Sequence, residues 1–216
     1  MVEQLASLTR KPDRAVGTRA DLDALLDTEL VGTLATVVDG EPWVVPMLFA
    51  RDGDRVLLHG STGAGALRHV AAGARAAFCV TVMDGLVVAE STFESSANYR
   101  SAVIRGQLVP VTGQEGAEVL EVISDRLLPG RPAEVGRSTR KEVAATLALA
   151  MEIREDNWIL KQRDGAPGEP EGPVDVWCGV VPLSVRAGDP QPAPWSVGPV
   201  PESVRGFVAA RGGAQS

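Results

Sequence analysis

Asp39-Gly40 stands between two β-rich runs, Gly32 to Val38 and Pro42 to Ala50, and this arrangement constrains the fold more than any other feature of the chain. A two-residue connection between paired strands needs positive φ at both central positions. Asp-Gly tolerates that and most residue pairs do not, so the segment predicts a type I′ hairpin. A second break, Arg51-Asp52-Gly53-Asp54, leads into Arg55-Val56-Leu57-Leu58-His59. Upstream, Leu22, Leu25, Leu26 and Leu30 recur at near-helical spacing behind Thr18, a candidate N-cap, with acidic residues in the first turn. Residues 20 to 60 thus predict a short helix followed by a three-stranded antiparallel meander.

The same reasoning carries along the chain. Ala66 to Gly73 predicts a short helix stopped by Gly73. Strand character returns over Ala76 to Met83, turns at Asp84-Gly85, and resumes over Leu86 to Ser91; Tyr99 to Val111 predicts another strand. Thr112 is a candidate cap for a helix from Glu115 to Leu128, closed by Pro129-Gly130, and the second half of Ala144 to Ile153 predicts a strand. Residues 164–173, rich in Gly, Pro and Glu, predict an exposed loop, and Val174 to Arg186 a last strand. The expected organisation is an N-terminal extension over 1–17, one domain over 18–186, and a Pro-rich tail over 187–216. Many antiparallel strands with a few interspersed helices predict a mainly β fold with helical additions, of barrel type.

A chain of 216 residues with 44% apolar residues has enough to bury a core without staples. A net charge of −7 and the lack of any Lys/Arg-rich run argue against a broad nucleic-acid surface. Cys79 and Cys178 are the two cysteines; Cys79, inside Ala76-Ala77-Phe78-Cys79-Val80, reads as a buried structural thiol. Few cysteines and no secretion signal point to a reducing compartment, and no run nears the ~20 apolar residues that span a bilayer, so the expected location is the cytoplasm.

Two segments carry candidate chemistry. In His59-Gly60-Ser61-Thr62-Gly63 a strand runs into a Gly-rich loop before a helix bearing Arg68, a place where backbone N–H groups and a cation could meet a phosphate. An ordinary strand-to-helix loop accounts for the same residues, and the spacing fits neither a P-loop nor Gly-x-Gly-x-x-Gly. In Asn98-Tyr99-Arg100-Ser101, alternation puts Tyr99, Ser101 and Val103 on one strand face and Arg100, Ala102 and Ile104 on the other. Arg100 beside a small hydroxyl could hold a phosphate, or could simply be an exposed strand arginine. Trp177 reads as a core residue of the last strand or as an indole beside a planar cofactor. His59 and His69 have no carboxylate or cysteine at metal spacing, so no metal site is expected, and no Gly-x-Ser-x-Gly elbow is present.

Taken in order, Asp39-Gly40 with Pro42-Trp43-Val44-Val45-Pro46, Arg51-Asp52-Gly53-Asp54, Leu58-His59-Gly60-Ser61, Asp84-Gly85-Leu86-Val87-Val88-Ala89, Asn98-Tyr99-Arg100-Ser101 and Val176-Trp177-Cys178-Gly179 through Leu183 resemble the pyridoxamine 5′-phosphate oxidase-like flavin-binding proteins. The flavin-nucleotide-binding branch, related to nitroimidazole-resistance reductases, is the nearest. The resemblance implies an FMN-binding split β-barrel and a homodimer with the flavin at the subunit interface. It places His59, Gly60, Ser61 and Arg68 near the phosphate, Val44, Val45 and Pro46 beneath the isoalloxazine, Tyr99, Arg100 and Ser101 on the strand completing the pocket, and Trp177 near the ring. Two positions depart from the pattern: Ala66 stands where many relatives carry a cation, and Glu94-Ser95 where close relatives often carry two histidines. The implied function is an FMN-dependent oxidoreductase acting on a small molecule, with no side-chain acid or base assigned. The alternatives are a non-catalytic flavin carrier or a reductase using F420 in the same fold; heme is disfavoured by the shortage of histidines.

Overall fold

The computed structural model describes residues 17–212; the expected N-terminal extension, but for Gly17, and the last four residues of the tail lie outside the described residues. α1 (Arg19–Thr28) opens on a capping box in which the Thr18 hydroxyl accepts from the Asp21 N–H and the Asp21 carboxylate accepts from the Thr18 N–H. That hydrogen bonding holds the Asp21 carboxyl below its ordinary pKa. The meander follows as β1 (Val31–Val38), β2 (Glu41–Asp52) and β3 (Arg55–Ser61), each antiparallel to the next. Asp39 and Gly40 take φ of 53° and 86°, the left-handed pair that the hairpin demands.

α2 (Gly65–Ala71) ends near Gly73, whose φ is 98°. β4 (Arg75–Val88) then runs unbroken through Asp84-Gly85, where a turn was expected. The pairing with β5 (Ser96–Gln107) shifts register between Met83 and Gly85, so Asp84 is a β-bulge and the strand continues on the far side. The strand expected over Tyr99 to Val111 is two elements, β5 and the short β6 (Val109–Val111), with buried Leu108 between them. α3 (Gly113–Leu127) starts after Thr112, which makes no side-chain cap. Two short helices, α4 (Arg131–Val135) and α5 (Arg140–Ala145), lead to β7 (Thr146–Glu152), and β8 (Trp158–Arg163) follows. Of the strand expected over 174–186 only β9 (Gly179–Pro182) forms, because it pairs only with the part of β4 beyond the bulge. α6 (Glu202–Arg211) closes the described chain.

The sheet order is β6-β7-β3-β2-β1-β4-β5-β8, with β9 joined to β4. This is the mainly β, curled, half-open barrel of the split-barrel class. Odd-numbered residues of β2 point to the concave side, where Trp43, Val45, Met47 and Phe49 meet Leu34, Phe78, Ile104 and the α1 leucines. Gly32 makes that packing possible, since a Cβ there would fall 2.1 Å from Phe78 Cζ, and the Phe78 ring is already held edge-on to Phe49 with centroids 5.1 Å apart. On the convex side α3 lays Val119, Leu120 and Ile123 over Ala50, Leu57, Ala148 and Ala150. The helix covers one half of that face. The other half, with Val31, Val44 and Leu48, is bare.

Candidate functional site

The bare half of the convex face is where the structure brings together four of the expected site residues, Val44, Pro46, Tyr99 and Ser101. β2 presents Val44, Pro46 and Leu48; β1 presents Val31, Thr33 and Ala35, register partners of Leu48, Pro46 and Val44. Thr33 and Ala35 in turn face Cys79 and Ala77 on β4, and Cys79, Thr81 and Met83 face Val103, Ser101 and Tyr99 on β5. The result is a strip of sheet with an apolar half and a hydroxyl-bearing half. Ser101 and Thr81 hydroxyls hydrogen bond at 3.1 Å, and Thr81 meets the Cys79 thiol at 3.6 Å. Cys79 is therefore half-exposed on this face, not buried as its apolar neighbours suggest, because strand alternation places it opposite Phe78 and Val80.

His59 and Ser61 leave β3 on the same convex side, two and four residues beyond Leu57. Their register partners on β7 are Ala148 and Thr146. His59 Nδ1 is buried and has no hydrogen-bond partner among the described residues, and burial lowers the imidazole pKa below its ordinary value. An unsatisfied buried imidazole nitrogen costs free energy and marks a place where a ligand would be welcome. His69, in contrast, is engaged through Nε2 with the Val37 carbonyl at 2.9 Å.

The other expected residues lie elsewhere. Val45 points to the concave core. The loop after β3 offers no open cradle: the N–H of Thr62 donates to the Ala145 carbonyl, that of Gly63 to the Ser61 hydroxyl and that of Ala64 to the Ser61 carbonyl. Gly60 is bare for packing rather than for ligand approach, since a Cβ there would stand 2.3 Å from Leu67 Cδ1 on α2. Arg68 is exposed on α2 without an ion pair among the described residues. Arg100 is on the face opposite Tyr99 and Ser101, and its guanidinium grips the bulge residue Asp84 through two bonds, Nε to Oδ2 at 3.0 Å and Nη2 to Oδ1 at 2.8 Å. That pairing raises its pKa. Trp177 stands outside β9, 65% exposed, its ring laid against Gly179. In the loop before β5, Ser95 is tied down by Ser91 and Ala89, so the hydroxyl that replaces a relative's imidazole is structural.

Sequence reading missed a cavity of about 680 Å³ on the other flank of the convex face, between α3, α5 and the β6–β7 edge. Val111, Leu120, Val143, Leu147 and Ala148 make its apolar walls, with Arg137 and Arg140 among its polar lining. No single segment carries a signal for it, because each of those residues reads as ordinary helix or strand core.

The family model for pyridoxamine 5′-phosphate oxidase matches residues 18–158, which span the described chain from α1 to the start of β8. This chain belongs to that family. No curated protein matches the sequence. Among solved structures, the FAD and heme binding protein from Mycobacterium smegmatis is 46% identical, with 89% of this chain and 96% of that one aligned at a TM-score of 0.84. The flavocytochrome Anf3 from Azotobacter vinelandii is 27% identical over 95% of this chain and 97% of its own, at a TM-score of 0.87. A nitroimidazole antibiotic resistance protein from Bacteroides thetaiotaomicron, 16% identical over 68% of this chain and 84% of its own at a TM-score of 0.57, shares the fold. Within this flavin-binding family the bare convex strip is the feature to explain. None of the described helices is long and apolar enough to cross a membrane.

Proposed function

We propose that the protein is a flavin-dependent redox protein that works as a homodimer, the flavin lying on the bare half of the convex face and a second copy closing over it. The observation that carries this reading is the strip itself. Val31, Val44 and Leu48 are each about half exposed or more, in a patch continuous with Pro46 and with Met83. Contiguous apolar surface of that kind marks a binding or association site. When bound, the flavin supplies the hydride and electron chemistry. The chain's own residues do the rest: Val44 and Pro46 offer a flat apolar bed, the Tyr99 and Ser101 hydroxyls offer hydrogen bonds along one edge, and exposed Arg68, without an ion pair among the described residues, offers a cation for a phosphate. Enclosure by the second copy excludes water from the reacting atoms.

FAD is favoured over FMN or F420, because the relative from Mycobacterium smegmatis at 46% identity is an FAD and heme binding protein. The same relative, together with the flavocytochrome, supports a second component to the reading: this chain also holds heme. The orphaned Nδ1 of buried His59 is the observation in the structure that favours it. Two histidines suffice where one imidazole is all that a heme needs from the protein.

The test is to reconstitute the purified protein with FAD, FMN and heme separately, identify what stays bound by absorption and mass, and assay NAD(P)H turnover with a range of acceptors. Retention of FAD at one per chain with turnover supports the reading. Binding without turnover leaves a flavin carrier, and failure to retain any flavin sinks it.

A further inference from the structure

The bare convex face carries charge of one sign. Ala77 pairs with Arg105 and Ser101 with Lys161, so strand alternation puts Arg105 of β5 and Lys161 of β8 on that face, with Arg75 two residues before Ala77 on β4. The only carboxylate within β1, β4, β5 and β8 is Asp84, which Arg100 holds from the opposite face. In a chain of net charge −7, three cations on one face with no acidic residue on the strands between them are a local reversal of sign.

These cations are also unspent. Arg51, Arg55 and Arg100 each grip a carboxylate, and Arg163, farther along β8, donates to Asn98 Oδ1 at 2.6 Å. Arg75, Arg105 and Lys161 have no ion pair and no side-chain hydrogen bond among the described residues. Arg105 is half-buried, so its guanidinium has given up water without gaining a counter-charge. Its place on the sheet matters as well: Val44, Ala35, Ala77 and Arg105 are successive register partners across β2, β1, β4 and β5. With neighbouring strands about 4.8 Å apart, Arg105 stands about 14 Å from Val44, and Arg75 is its diagonal neighbour. The ribityl chain of a flavin lying on Val44 and Pro46, together with the reach of an arginine side chain, covers that distance.

We propose that Arg105 and Arg75 hold the phosphate that FMN and FAD share, with the ribityl chain laid across β1 and β4 over Ala35 and Ala77, whose small side chains leave the path open. The assignment rests on the flavin component of the proposed function. It supplies cations where Arg100, spent on Asp84, supplies none, and where the N–H groups of the loop after Ser61 are already bonded. Lys161 lies apart from this pair, because its register partner Ser101 is four residues along β5 from Arg105, about 14 Å away.

Fluorescence titration of the full-length protein with riboflavin, FMN and FAD tests it, since riboflavin has the ring and ribityl chain without the phosphate. Arg105→Gln and Arg75→Gln should each weaken FMN and FAD affinity at least about fivefold, as expected for a lost charge-assisted contact, and leave riboflavin affinity within about twofold of wild type. The retained riboflavin affinity also reports that the variants fold. Added salt should weaken FMN and FAD binding to the wild type more than riboflavin binding. Lys161→Gln removes the same charge from the same face away from the phosphate and should cost less than either arginine variant. Wild-type FMN and FAD affinity in both arginine variants, an equal loss for riboflavin, or an equal loss from Lys161→Gln would overturn the assignment. Failure of the wild-type protein to bind any of the three flavins would instead remove the flavin reading on which the assignment rests.

Discussion

Arg100 shows how a residue's chemistry is decided by what reaches it first. Its motif suggested a phosphate contact, yet the bulge at Asp84 brings a carboxylate to the same guanidinium in bidentate geometry. Arg100→Ala should therefore lower stability by about 1 kcal/mol, a modest value because the pair is partly solvated, and leave flavin affinity near wild type. Urea midpoints and flavin titration of the variant check both halves; a selective loss of flavin affinity would return Arg100 to the site. His59 carries the opposite lesson, a buried group with too few partners. Burial holds its folded pKa below the unfolded value, so between the two the unfolded chain binds more protons. Its contribution to stability is complete above the unfolded pKa of about 6.5 and declines as pH falls through that value toward the lower folded one. Apoprotein stability measured from pH 8 to pH 5 should show an acid-side decline that His59→Gln reduces; parallel curves would mean that His59 titrates alike in both states.

At the scale of elements, the same dipeptide folds in two ways. Asp39-Gly40 makes a hairpin turn with both residues at positive φ, whereas Asp84-Gly85 stays inside a strand as a bulge, and Gly85 is not among the positive-φ glycines. The difference is tertiary: β5, the next strand, pairs across the shift on one side, and β9, nearly a hundred residues on, pairs on the other. Local strength explains what could be read in advance. The meander, α1 with its capping box, α2 and most of α3 have strong periodicity or turn chemistry. β8, β9 and α4 are four to six residues long and take their conformation from what they pack on, while α5, also six residues long, has a Thr139–Glu142 capping box but too few residues to show a period. The candidate site was legible in the same uneven way, since alternation correctly put Tyr99 and Ser101 opposite Arg100, but a cavity assembled from separate segments has no linear signature. Gly85 also offers a test, because a Cβ there would stand 3.0 Å from the Val181 carbonyl and 3.1 Å from Val180 Cγ1. Gly85→Ala should loosen β9, seen as faster amide hydrogen exchange at Leu183, whose N–H donates to the Asp84 carbonyl at 2.9 Å. Unchanged exchange would show that β9 moves away without losing its pairing.

At the scale of the molecule, the bare strip makes a prediction about assembly. Val44→Glu combined with Leu48→Glu puts two charges where the second copy is proposed to sit, and neither side chain supports the concave core. The double variant should be a folded monomer with greatly reduced flavin retention, read by light scattering and absorption; a dimer with full flavin content would refute the proposed interface. The curled sheet also has two ends. β6 is three residues long and contains Pro110, whose ring nitrogen offers no donor, and β8 carries Lys161 and Arg163. Short, proline-bearing or cationic rims resist pairing with a stranger's backbone. Growth by adding strands is thereby discouraged at both rims while face-to-face contact stays open, so crowding should drive this protein toward discrete closed particles and away from fibrillar or sheet-like aggregates.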